Sequence, residues 1–146
     1  MKNQKSGFTL LEILIVLGII GLLLAMTAAA FLSARGTARD AKRKADLEQI
    51  RGALETYKAD KGTYPATSGV VSNSSAPLNV LVSPTQYIST LPTDSLATRQ
   101  YYYVTLSAGA GYALCASLEN SSAGVPANCA GGASCGTACN YSVINP

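Results

Sequence analysis

The chain has 146 residues, 48% of them hydrophobic, and carries 11 basic against 8 acidic side chains for a net charge of +3. This length allows one modest domain in addition to an N-terminal segment. Without Lys2 and Lys5 the 11 basic side chains become nine, against 8 acidic ones, so the bulk charge does not indicate a nucleic-acid-binding protein. We therefore predict no specific nucleic-acid partner.

The types of residue present also argue against an enzyme. The sequence contains no histidine, which removes the usual general base and a common metal ligand. Beyond residue 61 its only acids are Asp94 and Glu119. We expect no catalytic residues and no cofactor.

The N-terminal segment is dominated by an apolar run over residues 8–32. As a helix this run would be about 37 Å long, against roughly 30 Å of membrane hydrocarbon, so it is long enough to span a bilayer. Basic residues flank both ends of the run, at Lys2 and Lys5 and again over residues 35–44. The positive-inside rule therefore leaves the orientation open.

One carboxylate, Glu12, interrupts this apolar run. Moving a carboxylate toward hydrocarbon costs several kcal/mol, so an acid in such a segment indicates a functional site with a charged partner. The alternative is that Glu12 lies near the lipid headgroups and has no specific role.

Glu12 belongs to the sequence Gly7-Phe8-Thr9-Leu10-Leu11-Glu12, which follows a short basic leader. This pattern resembles the N-terminus of the type IV pilin and type II secretion pseudopilin family. The resemblance implies that a prepilin peptidase cuts after Gly7 and methylates the new amine of Phe8. It also implies that Glu12 neutralises the N-terminal amine of a neighbouring subunit during assembly, since either charge is costly to bury alone.

The resemblance implies a structural subunit of a type IV pilus-like filament. Its partners would be identical subunits, the prepilin peptidase, the membrane and the inner-membrane assembly machinery. It would reside in the inner membrane as a precursor and then in an extracellular filament at the cell surface. Two alternatives are a pseudopilin of a type II secretion system and a monomeric secreted or membrane-anchored binding domain.

Ordinary secretion would require a different cleavage site. The small residues Ala28-Ala29-Ala30 suit signal peptidase and would leave Phe31 at the N-terminus. The apolar run before Ala28 is longer than the roughly 7 to 15 residues usual in a signal peptide, which argues against this alternative.

Helical sequence continues beyond the apolar run. No proline occurs before Pro65, Gly62 suits a helix C-cap, and Lys58 and Lys61 suit the negative end of a helix dipole. We therefore predict four segments: a leader peptide at 1–7, a transmembrane or filament-core helix at 8–32, a soluble half of the same helix at 33–61, and a disulfide-containing sheet domain at 62–146.

The soluble half of the helix has two different faces. Large apolar residues predict a face that packs under the domain, and alanines on roughly the opposite side form a stripe that either admits neighbouring helices or reflects helix propensity alone. The first face comprises Leu47, Ile50, Leu54 and Tyr57, and the stripe comprises Ala34, Ala38, Ala41 and Ala45.

The remaining sequence predicts a small antiparallel sheet. Residues 64–92 are rich in proline and small polar residues, which predicts mainly loop with a short helix at 78–82. Residues 101–106 and 112–118 favour a hairpin, and 141–144 a last strand. Alternating exposure on the sheet explains the three tyrosines at 101–103 better than an aromatic binding surface does. The predicted fold class is α+β and pilin-like, with a long N-terminal helix packed against this sheet.

Four cysteines, Cys115, Cys129, Cys135 and Cys139, lie in the last third of the chain. Their even number in a segment expected outside the membrane predicts disulfides. Three pairings are open, and we favour Cys115 with Cys129 and Cys135 with Cys139 because both close short loops. Zinc is the alternative, but the spacing lacks paired Cys-x2-Cys ligands.

Resemblance to major pseudopilins also implies a calcium site in the C-terminal loops. Residues 91–94, Leu-Pro-Thr-Asp, are similar to part of such a site, but no second acidic cluster follows. Calcium prefers several oxygen ligands, so we predict no metal site.

Overall fold

A computed structural model describes residues 7–74, 77–129 and 135–145, without the side chains of residues 28–30 and 32. Most of the predicted leader and the Gly131-Gly132-Ala133-Ser134 stretch lie outside the described residues. The chain forms two compact units, Met1–Gly36 and Thr37–Pro146. One α-helix, α1, runs from Leu10 to Lys61. The predicted fold class, a long helix and a small antiparallel sheet, is confirmed.

Helix α1 begins with a side-chain cap. The hydroxyl of Thr9 accepts a hydrogen bond of 3.3 Å from the backbone N–H of Glu12. A Thr followed three residues later by Glu is the spacing of a capping box, which supplies a partner for an otherwise unpaired N–H of the first turn. The sequence therefore fixes the start of the helix two residues after Phe8.

The apolar stretch Leu10–Thr27 of α1 is exposed along its length. By length and composition, Leu10–Thr27 could cross a membrane, with a mean hydropathy of 2.6. No buried side chain of this stretch is found among the residues described. The exposed large side chains are Leu10, Leu11, Ile13, Leu14, Ile15, Val16, Leu17, Ile19, Ile20, Leu22, Leu23, Leu24 and Met26.

Helix α1 ends at a glycine in a left-handed conformation. Gly62 has φ of +80°, and its N–H donates to the carbonyl of Lys58 at 2.7 Å. Glycine adopts this conformation without the steric penalty of a side chain. Lys58 and Lys61 lie in the last turn, where positive charge favours the helix dipole.

The second unit contains a four-stranded antiparallel sheet. Its strands β1 (Gly69–Val70), β2 (Tyr102–Leu106), β3 (Gly111–Ala116) and β4 (Tyr141–Ile144) lie in the order β1-β2-β3-β4. Each strand pairs with the next along the chain. The central strands β2 and β3 form the hairpin that the sequence predicts.

Two details of the sheet differ from the prediction. Strand β1 lies in a segment predicted as loop, because two residues are too few to produce a periodic pattern. Strand β3 ends at Ala116 rather than at residue 118. The N–H of Leu118 instead donates to the side-chain oxygen of Asn140 at 2.6 Å, which removes it from the strand ladder.

The short helix predicted at 78–82 appears as a 3-10 turn at Asn79–Leu81.

One face of the sheet packs on α1. Leu47, Ile50 and Leu54 are completely buried, and Tyr57 is partly buried against the same core. From the sheet side this core includes Tyr103, Tyr112, Leu114, Ala116 and Val143. The alanines of the predicted stripe are all exposed, so their role stays a hypothesis.

Cystines pack on the other face of the sheet, against β3. Disulfides join Cys115 to Cys129 and Cys135 to Cys139. These four cysteines and Ala113 form a second buried cluster. A glycine allows the loop to close here: Gly136 has φ of +79°, and a side chain would collide with the carbonyl of Thr98. All six residues of β3 are therefore buried.

Candidate functional site: the N-terminal segment and an arginine–carboxylate cluster

The residues predicted as a cleavage site lie just before the helix. Gly7, Phe8 and Thr9 are outside regular secondary structure, and α1 begins at Leu10. Phe8 is 78% exposed. The bond between Gly7 and Phe8 therefore lies in accessible, non-helical backbone, the form of chain that a peptidase can bind.

Glu12 lies in the first turn of α1 and is exposed. Its backbone N–H takes part in the helix cap. Within the described part of the chain, its carboxylate has no hydrogen-bond or ion-pair partner.

The second unit contains a buried charge cluster centred on Arg43, whose side chain is 1% exposed. Its guanidinium binds Asp94 through two hydrogen bonds, from Nε to Oδ2 at 2.5 Å and from Nη2 to Oδ1 at 3.0 Å. Nη1 donates to Asp40 Oδ1 at 2.7 Å and to Glu119 Oε1 at 2.9 Å. One cation therefore joins α1 to two separate loops of the domain.

A second arginine completes this arginine–carboxylate cluster. Arg39 binds Glu119 with Nε at 2.7 Å from Oε1 and Nη2 at 2.5 Å from Oε2. Asp40 accepts hydrogen bonds from the backbone N–H groups of Glu119 and Asn120, each at 2.9 Å at its shortest. The loop after β3 is thereby fixed to one turn of the helix by both charge and backbone contacts.

These contacts favour the ionised carboxylates. Hydrogen bonds from Arg39, and next from Arg43, lower the pKa of Glu119 to about 2 against the opposing effect of burial. Burial raises the pKa of Asp94, but hydrogen bonds from Arg43 and the N–H of Leu96 outweigh it, so the pKa is lowered. The pKa of Asp40 is likewise lowered, because backbone hydrogen bonds and Arg43 together outweigh its burial.

This cluster was not predicted from the sequence, although the distribution of charged residues indicated it. Asp94 and Glu119 are the only acids beyond α1, and basic residues are concentrated over residues 35–44 of the helix. Beyond α1 the sequence has two acids and one basic residue, Arg99, so these acids indicate partners on the basic part of the helix. Spacing within the helix also supports the pair Asp40 and Arg43, which are three residues apart.

Tyrosines attach the sheet to carboxylates of the same helix. Tyr64 and Tyr112 both donate to the carboxylate of Glu55, at 2.8 and 2.9 Å, and Tyr101 donates to Asp46 at 2.7 Å. Burial, followed by the bond to Glu55, raises the pKa of Tyr64 to about 12. These phenols contact the helix. Of the three tyrosines at 101–103, Tyr101 and Tyr103 are buried and Tyr102 is half-buried, which agrees with the expected alternating exposure.

The calcium site implied by family resemblance does not fit these residues. Both carboxylate oxygens of Asp94 accept hydrogen bonds from Arg43, and Oδ1 also accepts one from Leu96 at 2.8 Å. In the described part of the chain, no group of three or more histidine, cysteine or acidic residues could hold a metal ion. The zinc alternative lacks thiolates, since the four cysteines are paired as disulfides.

Two family models match the chain. Residues 2–28 match the prokaryotic N-terminal methylation motif, a segment that contains Gly7, Phe8 and Glu12. Residues 30–128 match type II secretion system protein G, and this stretch contains α1 from residue 30 and most of the sheet domain. No solved structure matches the chain significantly.

Curated relatives carry the same description. Proteins named type II secretion system core protein G match from Pseudomonas aeruginosa, with 39% identity over 66 residues, and from Escherichia coli strain K12, with 33% identity over 97 residues. These matches cover 45% and 63% of this chain. The chain spans 46% of the Pseudomonas protein, about half its length, and 67% of the Escherichia protein. The chain belongs to the type II secretion system protein G family of pseudopilins.

Proposed function

We propose that this chain is a pseudopilin, a subunit that forms a short filament of identical copies within a type II secretion system. One observation carries the proposal: a methylation-motif segment and a protein G domain follow each other in a single chain. The comparisons favour this alternative over the type IV pilus expected first. The proposed location is accordingly the inner membrane and its periplasmic side, not an extracellular pilus.

The proposed maturation begins at the exposed bond between Gly7 and Phe8. A prepilin peptidase would remove residues 1–7 and methylate the amine of Phe8. Accessible non-helical backbone at this bond supports the step, because a peptidase needs an extended substrate. Helix α1 can stay intact during cleavage, since it begins two residues later.

Glu12 would direct assembly by pairing with the Phe8 amine of a neighbouring copy. Its carboxylate is exposed in the first turn and lies among apolar side chains. A carboxylate and an ammonium that enter an apolar helix bundle together avoid the cost of burying either charge alone. The pair would also fix the axial position of each incoming subunit.

The apolar surface of residues 8–32 would be covered by lipid before assembly and by neighbouring helices afterwards. Exposed apolar surface on this scale is unstable in water, so some cover is required. Residues 33–61 and 62–146 would form the water-exposed part, because the second unit has its own core and disulfides.

The first test is the intact mass and N-terminal sequence of the protein recovered from cells that contain a prepilin peptidase. Cleavage after Gly7 with one added methyl group on Phe8 is the expected result. An unmodified terminus at Phe31 would instead indicate ordinary secretion and a monomeric domain. Electron microscopy at native expression then distinguishes long surface pili from a pseudopilus, for which we expect none.

The role of Glu12 is tested by Glu12→Leu in cells that depend on this chain for secretion. We expect normal membrane levels and cleavage, but a loss of secreted substrate of at least about tenfold, because an unpaired amine costs more than 1.4 kcal/mol to bury. Glu48→Gln, at an exposed acid elsewhere on α1, is the matched control and should secrete normally. Wild-type secretion by Glu12→Leu would contradict the pairing role.

A further inference from the structure

The positive charge that balances the carboxylates of the arginine–carboxylate cluster comes from arginines of the protein itself. Three acids, Asp40, Asp94 and Glu119, share the cluster with Arg39 and Arg43. A third guanidinium, that of Arg99, also favours the charged form of Asp94. The formal charges therefore balance at three against three.

Every carboxylate oxygen of the cluster already accepts a hydrogen bond. The two oxygens of Asp94 and the two of Glu119 receive donors from Arg43 and Arg39. Asp40 Oδ1 receives Arg43, and Oδ2 receives the N–H of Asn120 at 2.9 Å. A calcium ion needs about six to eight oxygen ligands, so it would have to displace these donors.

From this geometry we infer that Arg43 takes the place of a divalent cation in this domain, and that the second unit folds and stays folded without calcium. Arg43 reaches three acids from one position and is 1% exposed, which a mobile surface charge would not be. It joins the 91–94 loop and the loop after β3 to helix α1. The inference concerns stability and does not depend on the proposed role in secretion.

The experiment compares thermal unfolding of the full chain in mild detergent with EGTA and with millimolar calcium. Near-ultraviolet circular dichroism is a suitable probe, because all 8 tyrosines lie from Tyr57 onward and the chain has no tryptophan. A native calcium site occupied at a hundredfold excess over its dissociation constant would raise the midpoint by about 10 °C. We expect the two wild-type midpoints to agree within about 1 °C.

The variant Arg43→Met removes the guanidinium that we infer to replace a divalent cation. Arg43→Met should lower the midpoint by more than about 10 °C in EGTA, because three buried or half-buried acids lose their shared partner. Arg51→Met is the matched control on the same helix, since Arg51 is 35% exposed and lies 3.4 Å from Glu48, and it should change the midpoint by less than about 3 °C.

Adding Asp94→Asn to Arg43→Met should recover part of the loss, which distinguishes charge pairing from simple packing. If Arg43→Met does not fold, Arg43→Lys keeps the charge but not the two-pronged contact and should show a smaller loss. A wild-type midpoint that rises by several degrees with calcium would overturn the inference. So would an Arg43→Met loss no larger than that of Arg51→Met.

Discussion

Arg39 and Arg43 lie one turn apart on the same helix, yet their environments imply different contributions to the stability of the domain. The side chain of Arg39 is 34% exposed and binds one acid, whereas that of Arg43 is 1% exposed and binds three. An exposed ion pair contributes roughly 0 to 1 kcal/mol, while breaking a buried pair costs about 3 to 5 kcal/mol. Arg43 is therefore the residue of the cluster that the domain can least lose.

Acid should weaken the domain through the carboxylates of this cluster. In the folded protein the pKa of Glu119 is lowered to about 2, chiefly by hydrogen bonds from Arg39, and the pKa values of Asp40 and Asp94 are also lowered despite their burial. In the unfolded chain such groups titrate near about 4. Stability is therefore complete above about pH 5 and falls progressively as the pH drops toward about 2.

The measurement is the thermal midpoint of the full chain as a function of pH in detergent. Glu119→Gln should lower the midpoint at neutral pH and should make the profile flatter between about pH 5 and pH 2, because one linked carboxylate is gone. Glu48→Gln serves as the control and should leave the profile unchanged. An equally steep decline in Glu119→Gln would mean that acid acts elsewhere.

The cluster was harder to predict from the sequence than the N-terminal motif, for a physical reason. Gly7, Phe8 and Glu12 lie within six consecutive residues, so their pattern is visible in one short stretch. Arg43 and Asp94 are separated by 51 positions and meet only after the loops have folded. Their pairing depends on loop paths, which neither periodicity nor propensity specifies.

At the scale of elements, strand β3 is the centre of the second unit because it is buried on both faces. On one face of β3, Leu114 belongs to the core that packs on helix α1. On the other face, Cys115 belongs to the cluster of cystines. The alternating and aromatic sequence of the hairpin predicted its two strands. It did not predict β1, because two residues carry no period, nor the burial of both faces of β3, which follows from the disulfide loops.

The two disulfides should differ in how much they stabilise the domain. Cys115 and Cys129 are 14 residues apart, whereas Cys135 and Cys139 are 4 apart. Loop entropy then predicts a loss of about 3 kcal/mol for Cys115→Ser with Cys129→Ser, and about 2 kcal/mol for Cys135→Ser with Cys139→Ser. Urea unfolding, monitored by the circular dichroism of the tyrosines, measures both losses of stability. The two double variants are controls for each other, and a larger loss for the shorter loop would contradict the entropic account.

At the scale of the whole molecule, the two units differ in where their apolar side chains lie. The apolar side chains of Leu10–Thr27 are exposed, whereas the apolar side chains of the second unit form their own core. The hydrophobic effect favours cover of the first unit's apolar side chains by lipid or other helices. The apolar side chains in the core of the second unit are already covered. The requirement of Leu10–Thr27 for lipid or other helices is therefore a consequence of where the apolar residues lie.

A fragment of residues 33–146 should consequently fold without the apolar segment. Its core and its charge cluster use residues from Asp40 onward, and Ser33 leaves about two helical turns before that position. We expect a soluble monomer in analytical ultracentrifugation, with a tyrosine spectrum like that of the full chain and a midpoint within about 5 °C of it. The matched control is a fragment of residues 44–146, which lacks Asp40 and Arg43 and should unfold more than about 10 °C lower. If both fragments unfold at the same temperature, or if the longer one does not fold, the second unit depends on residues before 33 and its independence is rejected.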